Sequence, residues 1–320
     1  MSDKPKVVAL GGGHGLAASL SALRQITPNL TAIVTVADNG GSSGRLREEF
    51  NSLPPGDLRM ALAALCANDE WGRSWAEIMQ YRFTSQGALD GHALGNLLLT
   101  ALWDRDEDPV KGLEKVGALL KVVGQVLPMA PIPLDIEGVF KSWDGTHVVR
   151  GQKEVAVAKG SLEDLRLIPG DVSPTPEGLS AIAEADFITI GPGSWFSSVL
   201  PHVLVKAQLS AIQESKAKRI LVLNLDATEN HTGDEFAGSS PAEHLRVLQR
   251  FAPNLKCDIA LIDESIAAQS SVLPELENLV FAMGGKVNVA NLASHPGSNH
   301  HDAQKLFSAF SHIFQSEMIR

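Results

Sequence analysis

The hydrophobic positions of this chain alternate between short continuous runs and longer stretches with helical spacing. Val7–Leu10 is a short apolar run that ends in glycines, and Leu16–Ile26 places apolar residues three or four positions apart. Thr31–Ala37 is a second run, rich in β-branched residues and apolar on both faces, which is typical of a buried parallel strand. A strand, a helix and a strand with short connections predict a βαβ unit and therefore a parallel sheet.

The same alternation returns in the second half of the chain, where Phe187–Ile190, Ile220–Asn224 and Ile259–Ile262 are predicted strands. The spacing predicts further helices at Leu58–Ala67, Trp75–Phe83, Ala93–Trp103, Val110–Val123, Leu179–Ala185, Ala207–Ser215, Pro241–Phe251 and Asp302–Phe314. We therefore predict an α/β fold with a Rossmann-like, doubly wound and mostly parallel sheet. One nucleotide-binding domain is expected to span residues 1–320.

The pattern changes between about residues 124 and 171. Three prolines interrupt the apolar stretch Val126–Ile136. Trp143–Thr146 has the residues of a hairpin turn between Val139–Lys141 and His147–Val149. We interpret this segment as a small antiparallel β insertion rather than as an independent domain.

Composition limits the class of partner. The chain has 44% hydrophobic and 20% charged residues, which is ordinary for a folded protein. Its formal net charge of −10 argues against non-specific nucleic-acid binding, which depends on lysine and arginine displacing counterions. An anionic small ligand stays compatible with this charge, because backbone amides and one or two local arginines can bind it.

The two cysteines, Cys66 and Cys257, lie far apart in separate apolar stretches. They predict buried thiols of a reducing compartment rather than a disulfide or a zinc site. No apolar run approaches the roughly 20 residues of a membrane span, and no secretory leader is recognisable. We expect a cytoplasmic protein without membrane insertion and without a nucleic-acid partner.

A glycine-rich turn follows the first strand and opens the first helix; its residues are Gly11, Gly12, Gly13, His14 and Gly15. Glycines let backbone amides approach a ligand without a Cβ in the way, and a helix N-terminus adds unpaired N–H groups. With the three residues that follow, the turn fits the G-x-G-x-x-A form of a dinucleotide fingerprint. A plain turn between a strand and a helix needs one glycine, so four in five residues favour a phosphate site.

A second polar cluster follows the second strand, at the edge where an open α/β sheet builds its ligand crevice. Its members are Asp38, Asn39, Gly40, Gly41, Ser42, Ser43, Gly44 and Arg45. The serines and glycine amides are candidates for binding a second phosphate, with Arg45 as counter-charge. Asp38 is a candidate for binding a ribose hydroxyl or a metal ion. A turn without a ligand is the alternative, but eight small and polar residues exceed what a turn needs.

Further candidates lie in four other segments. Asp57 follows two prolines at a position where a helix N-cap is expected, and capping explains it without a metal role. His92 and Asn96 are one helical turn apart and share a face. A second glycine turn between a strand and a helix, which predicts a second anion- or base-binding site, consists of Gly191, Pro192, Gly193 and Ser194; Asn224 and Asp226 end another strand in the same way.

The order of these motifs resembles one protein family. GGGHG, TVADNGGSSGRLR, LPPGDLR, YRF, GHALGNLLL and IGPGSWFSSVLP follow one another over nearly the whole chain, as in the gluconeogenesis factor family, which is related to 2-phospho-L-lactate transferase. The resemblance implies a cytoplasmic protein that binds a UDP-sugar such as UDP-N-acetylglucosamine. It also implies a regulatory role in cell shape and wall synthesis during gluconeogenic growth. Carried over by position, the nucleotide site comprises Gly11–Gly15, Asp38–Arg45, Asn96 and Gly191–Ser194.

Two positions depart from the pattern that the resemblance leads us to expect. Asn39 stands where many relatives have a second aspartate, and His300 stands where an arginine is expected before His301 and Asp302. A neutral histidine does not replace an arginine as a permanent phosphate partner, so no binding role is assigned to His300.

Three hypotheses of function follow. A nucleotide-sugar-binding regulator without turnover is favoured, because no P-loop, nucleophile elbow, H-E-x-x-H or C-x-x-C motif is present. The alternative is a Mg²⁺-dependent transferase of phosphorus-containing groups, in which Asp38 and Asp57 bind the metal. An NAD-dependent oxidoreductase that uses the first glycine turn ranks last. The protein partners that we expect are a second copy of the chain, in a homo-oligomer, and an unidentified regulatory protein.

Overall fold

A computed structural model of the chain describes residues 4–225 and 240–318. Its strands, in chain order, are β1 (Val7–Gly11), β2 (Leu30–Val34), β3 (Gln125–Pro128), β4 (Asp135–Ser142), β5 (Gly145–Arg150), β6 (Ser161–Ile168), β7 (Phe187–Ile190), β8 (Lys218–Val222), β9 (Ile259–Asp263) and β10 (Lys286–Ala290). The central strands β1, β7 and β9 are buried at every residue, as expected for a parallel sheet covered on both faces.

Helices occupy most of the connections between the strands. They are α1 (Gly13–Leu23), α2 (Gly41–Phe50), α3 (Pro55–Leu65), α4 (Glu70–Gln80), α5 (Leu94–Asp106), α6 (Pro109–Leu120), α7 (Gln152–Ala156), α8 (Pro176–Glu184), α9 (Leu200–Leu204), α10 (Lys206–Glu214), α11 (Pro241–Phe251), α12 (Glu264–Ala267), α13 (Val272–Ala282) and α14 (Ala303–Met318), with a π-helical turn at Trp195–Val199. Asp302 caps the start of α14, because its Oδ1 accepts the amides of Gln304 and Lys305 at 2.8 and 2.9 Å.

The order of strands places the two glycine turns next to each other. Seven of the described strands form one parallel sheet in the order β10-β9-β8-β7-β1-β2-β3. From β1 the chain first builds outward to β2 and β3, and then returns to the other side of β1 to add β7 through β10. The predicted doubly wound α/β fold is confirmed, and the boundary between its halves lies between β1 and β7. Ligands of such sheets bind at this switch point, beyond the carboxyl ends of the strands.

The smaller sheet is antiparallel, with the order β5-β4-β6. Its β4–β5 hairpin turns at Trp143 and Asp144, as the sequence predicts. Gln125–Pro128, which the sequence places in the insertion, instead forms β3 and pairs with β2 in the large sheet. Pro128 is the last residue of this strand, and its missing N–H costs no interior ladder bond there. The antiparallel segment therefore begins at Asp135.

An aromatic contact joins the two sheets. Phe140 of β4 is among the largest fully buried side chains, and its ring meets that of Phe196 edge to face, with centroids 6.2 Å apart. Phe196 lies in the π-helical turn that follows β7. The inserted sheet is thereby packed against the segment that carries the second glycine turn.

Both cysteines are buried and unpaired, as expected. Burial raises the pKa of Cys66 to about 11 and that of Cys257 to about 12, so neither thiol ionises near neutral pH. None of the helices in the described part of the chain is long and apolar enough to span a bilayer.

Candidate functional site

The turns that follow β1 and β7 are in direct contact. A Cβ on Gly15 would lie 2.6 Å from the carbonyl carbon of Pro192 and would overlap its oxygen. The same Cβ would lie 3.0 Å from Cα of Gly193. The two predicted anion-binding turns, Gly11–Gly15 and Gly191–Ser194, therefore lie side by side at the switch point of the sheet, and the region that they border is here called the crevice.

Gly12 lies where three polar side chains converge. A Cβ at this position would lie 2.5 Å from Oδ2 of Asp57, 2.6 Å from Oγ1 of Thr35 and 3.1 Å from Oγ of Ser198. Gly13 has φ of +60°, a conformation that glycine adopts without strain. The first turn is therefore shaped so that its backbone approaches a carboxylate and two hydroxyls closely.

The interpretation of Asp57 as an N-cap is wrong. The N-cap of α3 is Pro54, because the fixed φ of Pro55 allows the helix to begin there, two residues before Asp57. Asp57 therefore lies in the first turn of α3, and its side chain accepts from the amide of Gly13 and from Thr35. The carboxylate belongs to the crevice rather than to the end of its own helix.

Asp38 is the second carboxylate of the crevice. Burial, together with the negative charge of Asp38, raises the pKa of Asp57 to about 7. Burial also raises the pKa of Asp38, against the opposing effects of the Gly40 amide, Ser43, Lys153 and Arg47. The two aspartates that the sequence proposes as metal ligands therefore lie close enough to repel each other.

The polar cluster after β2 is helical rather than a loop, since α2 begins at Gly41. Ser43 is buried and accepts the amide of Gly56 at 2.7 Å, while its hydroxyl interacts with Asp38. Ser43 thus joins the start of α3 to the carboxylate of Asp38. It positions Asp38 beside Asp57.

Ser42 is bound on all sides within the protein. Its Oγ accepts from Nδ2 of Asn96 at 3.0 Å and from the amide of Ala93 at 3.3 Å. Its own proton is therefore donated to Nδ1 of His92, 3.0 Å away. The prediction that His92 and Asn96 share a helix face is wrong, because α5 begins at Leu94 and His92 precedes it, but the two side chains do meet at Ser42. Because its lone pairs and its proton are all engaged in hydrogen bonds within the protein, Ser42 positions neighbouring residues rather than binding a phosphate.

We expect Ser42→Ala to lower the free energy of unfolding by about 2 kcal/mol, because three buried groups lose a partner at once. Urea unfolding at neutral pH measures the loss. Ser74→Ala, on the exposed face of α4, is the matched control and should change stability by less than about 0.5 kcal/mol. Equal stability of the two variants would contradict the role given to Ser42.

Two members of the cluster after β2 bind partners outside the glycine turns. Nδ2 of Asn39 donates to Glu154 of α7 at 3.0 Å, and Nη2 of Arg45 donates to the carbonyl of Asp90 at 2.7 Å. An open cleft of about 820 Å³ borders both, and its wall also includes Gly41, Gly44, Arg47, Glu48, Asn51, Pro133 and Asp135. Asp135 of β4 places this cleft beside the inserted sheet, and the cleft has the volume of a small-molecule site.

The second glycine turn is held by the end of β8. The amide of Gly193 donates to Oδ1 of Asn224, and Nδ2 of Asn224 donates back to the carbonyl of Gly193, each at 3.0 Å. Oγ of Ser194 accepts the amide of Ser197 at 3.3 Å. Asn224 is thus a positioning residue for the turn, and Asp226 lies outside the described residues.

Sequence reasoning missed His202, which is completely buried in α9. Its Nε2 donates to the carbonyl of Gly11 at 3.3 Å, and its Nδ1 accepts from Gln208 at 2.9 Å. Burial lowers the pKa of His202 to about 4, so the ring is neutral at physiological pH. A histidine inside an apolar helix carries no sequence signal for this contact with a turn 191 residues away.

His14 and His300 lie at the mouth of the crevice, with ring centroids 6.3 Å apart. Burial lowers the pKa of His14, and His300 and Arg59 lower it further by repulsion. Arg59 is buried on α3 beside Asp57 and donates to Gln80. The His300 position therefore lies next to the first glycine turn, although the sequence assigned it no role.

Comparison with known proteins identifies relatives along the whole chain. The sequence profile of the family described as 2-phospho-L-lactate transferase CofD matches residues 7–284. A protein of Mycobacterium leprae is 44% identical over 313 residues, which is 97% of this chain and 86% of that protein. The gluconeogenesis factor of Listeria innocua is 36% identical over 85% of this chain and 81% of its own length. A solved structure from Bacillus halodurans, 32% identical, superimposes with a TM-score of 0.83 and covers 97% of this chain and 100% of that one.

Proposed function

Because the chain belongs to the 2-phospho-L-lactate transferase CofD family, we propose that its crevice binds a nucleotide-sugar of the UDP-N-acetylglucosamine type. The observation that carries the proposal is the contact of Gly15 with Pro192, which places two glycine turns side by side. Each turn opens a helical segment, and two neighbouring anion-binding turns suit the two phosphates of a diphosphate. The cleft of about 820 Å³ beside Asn39 and Arg45 offers room for a sugar or a base.

The role that we propose for this binding is regulatory. The relatives named gluconeogenesis factor support a function tied to carbon supply, and we extend it to cell shape and wall synthesis in the cytoplasm during gluconeogenic growth. A regulator of this kind transmits ligand occupancy to a protein partner or through a homo-oligomer. Occupancy by the nucleotide-sugar, rather than its turnover, is the signal in this proposal.

Calorimetric titration with UDP-N-acetylglucosamine, UDP and GDP tests the proposal. We expect saturable heat with both uridine nucleotides and a weaker response to GDP. The absence of saturable heat with any uridine nucleotide at millimolar concentration would refute it. Titration with uridine alone is the control for the diphosphate, because a nucleoside lacks the charges that the two turns are proposed to bind.

A transferase is the second candidate, favoured by the two carboxylates of the crevice. The described residues contain no cluster of three or more His, Cys, Asp or Glu able to hold a metal. Mg²⁺, however, is commonly bound through one or two carboxylates together with substrate phosphates. The mutual repulsion of Asp38 and Asp57 fits such an ion, which would neutralise phosphate charge when bound.

The transferase candidate predicts sustained release of nucleoside monophosphate that depends on magnesium. Asp38→Ala should abolish this release, because it removes one of two carboxylates. Asp171→Ala, at an exposed position after β6, should leave it unchanged. If wild type, Asp38→Ala and Asp171→Ala all release only traces of product, and do so without magnesium, the transferase candidate is rejected and the proposal of a binding protein remains.

A further inference from the structure

The inserted sheet reaches the crevice through α7. Nδ2 of Asn39 donates to Oε2 of Glu154 at 3.0 Å, and the amide of Lys153 donates to Oδ1 of Asn39 at 3.4 Å. Val155, the next residue, is fully buried in the core. Two hydrogen bonds and an apolar anchor thus fasten this short helix against the segment after β2.

Lys153 is the residue of α7 that lies against Gly40. A Cβ on Gly40 would lie 2.7 Å from Cε of Lys153, 3.5 Å from its Nζ and 3.1 Å from Oδ1 of Asp38. The ammonium group and the carboxylate therefore lie on the same side of Gly40. Asp38 in turn lies beside Gly56, the residue before Asp57. A Cβ on Gly56 would lie 3.1 Å from Oδ2 of Asp38. Lys153 is therefore connected through Gly40, Asp38 and Gly56 to Asp57, the carboxylate that accepts the amide of Gly13.

The other cations near this segment have partners. Arg45 donates to a backbone carbonyl, and Arg47 forms an ion pair of 2.5 Å with Asp135. Within residues 4–225 and 240–318, Lys153 has no ion pair shorter than 4 Å. Glu154, its neighbour, is bound by Asn39 instead. The charge of Lys153, which acts on Asp38 without forming an ion pair with it, is therefore available to a ligand.

A diphosphate in the crevice needs a cation. Asp38 and Asp57 already repel each other, and phosphates on the adjoining turns would add further negative charge. Backbone amides supply only partial positive charge to offset it. Lys153, on α7 outside the parallel sheet, supplies a full positive charge beside Asp38.

We propose that Lys153 binds the diphosphate of the ligand, so that the inserted sheet forms one wall of the site. The inference rests on the proposed function for the identity of the nucleotide, but any diphosphate presents the charge that Lys153 would meet. The class of ligand assigned to this residue is therefore a nucleoside diphosphate or its sugar ester. It also gives the insertion a role in binding, since α7 belongs to neither half of the large sheet.

Calorimetric titration of Lys153→Gln with UDP-N-acetylglucosamine and with inorganic pyrophosphate tests the inference. In EDTA, we expect the affinity for both to fall about tenfold, the effect of losing one charge-assisted hydrogen bond at an exposed position. Lys153→Arg should retain most of the affinity. Lys159→Gln, an exposed lysine of the same insertion, should bind as the wild type does. Thermal unfolding of each variant shows whether it is folded.

The outcomes separate the two proposals. Equal affinity of Lys153→Gln and wild type for both ligands would overturn the role of Lys153 while leaving the proposed function in place. If wild type binds pyrophosphate but no uridine nucleotide, the proposed function is overturned. The role of Lys153 is then tested by comparing the pyrophosphate affinities of Lys153→Gln and wild type. Wild type that binds neither ligand would overturn both.

Discussion

Gly15→Ala is expected to abolish nucleotide binding and to lower the free energy of unfolding by about 3 kcal/mol, because the new methyl group overlaps a backbone carbonyl. The sign of the stability change is informative. Gly15 lies inside α1, where alanine in place of glycine ordinarily stabilises by about 0.5–1 kcal/mol. A loss of stability therefore reports the contact with Pro192 and not the helical propensity of residue 15.

Urea unfolding and calorimetric titration of Gly15→Ala measure both effects. Gly87→Ala is the control, because a Cβ at that position has no heavy atom within 4 Å. We expect the control to keep its stability and its affinity. If Gly15→Ala proves as stable as wild type, or binds the ligand within twofold of wild-type affinity, the two turns do not adjoin as described.

The second large effect is on the pH dependence of stability, through His202. The pKa of this ring is about 4 in the folded protein, below the usual value of 6.5, because burial disfavours the charged form. The contribution of His202 to stability is therefore complete above pH 6.5. It is lost as the pH falls toward 4, because the unfolded chain then binds a proton that the folded chain does not. The loss is about 2 kcal/mol at pH 5 and roughly 3 kcal/mol at pH 4.

His202→Gln isolates this contribution. The glutamine amide can donate to Gly11 as Nε2 of the histidine does, but it does not titrate. Relative to wild type, we expect the variant to gain about 2 kcal/mol between pH 7.5 and pH 5 in urea unfolding. His312→Gln, on the exposed face of α14, is the control. A constant difference between His202→Gln and wild type across this pH range would mean that His202 is not buried against the first turn.

Much of the large sheet could be predicted from the sequence, because buried parallel strands are short apolar runs ended by glycine or polar residues. β1, β7 and the turns after them have this form, and the structure brings both turns to the switch point. The segment Gly41–Phe50 could not be predicted as a helix, because it opens with glycines and serines that have weak helical propensity. Buried hydrogen bonds of Ser42 and Ser43 stabilise its first turn instead.

The rest of the site depends on contacts between distant segments. β3 could not be predicted because Pro128 ends it and two further prolines follow, and only its pairing with β2 shows that it belongs to the large sheet. The edge strand Lys286–Ala290 is half exposed and has an asparagine at its centre, so its apolar signal is weak. No sequence motif distinguishes Lys153 or His202 from other lysines and histidines of the chain. Their roles follow from the elements that pack against them in the fold.

The measurement that tests the central claim most directly is a crystal structure of the protein with bound UDP-N-acetylglucosamine. We predict that the diphosphate lies against the first and second glycine turns, with Nζ of Lys153 within hydrogen-bonding distance of a phosphate oxygen. A nucleotide bound away from the contact between Gly15 and Pro192, or a diphosphate that touches neither turn, would contradict the account.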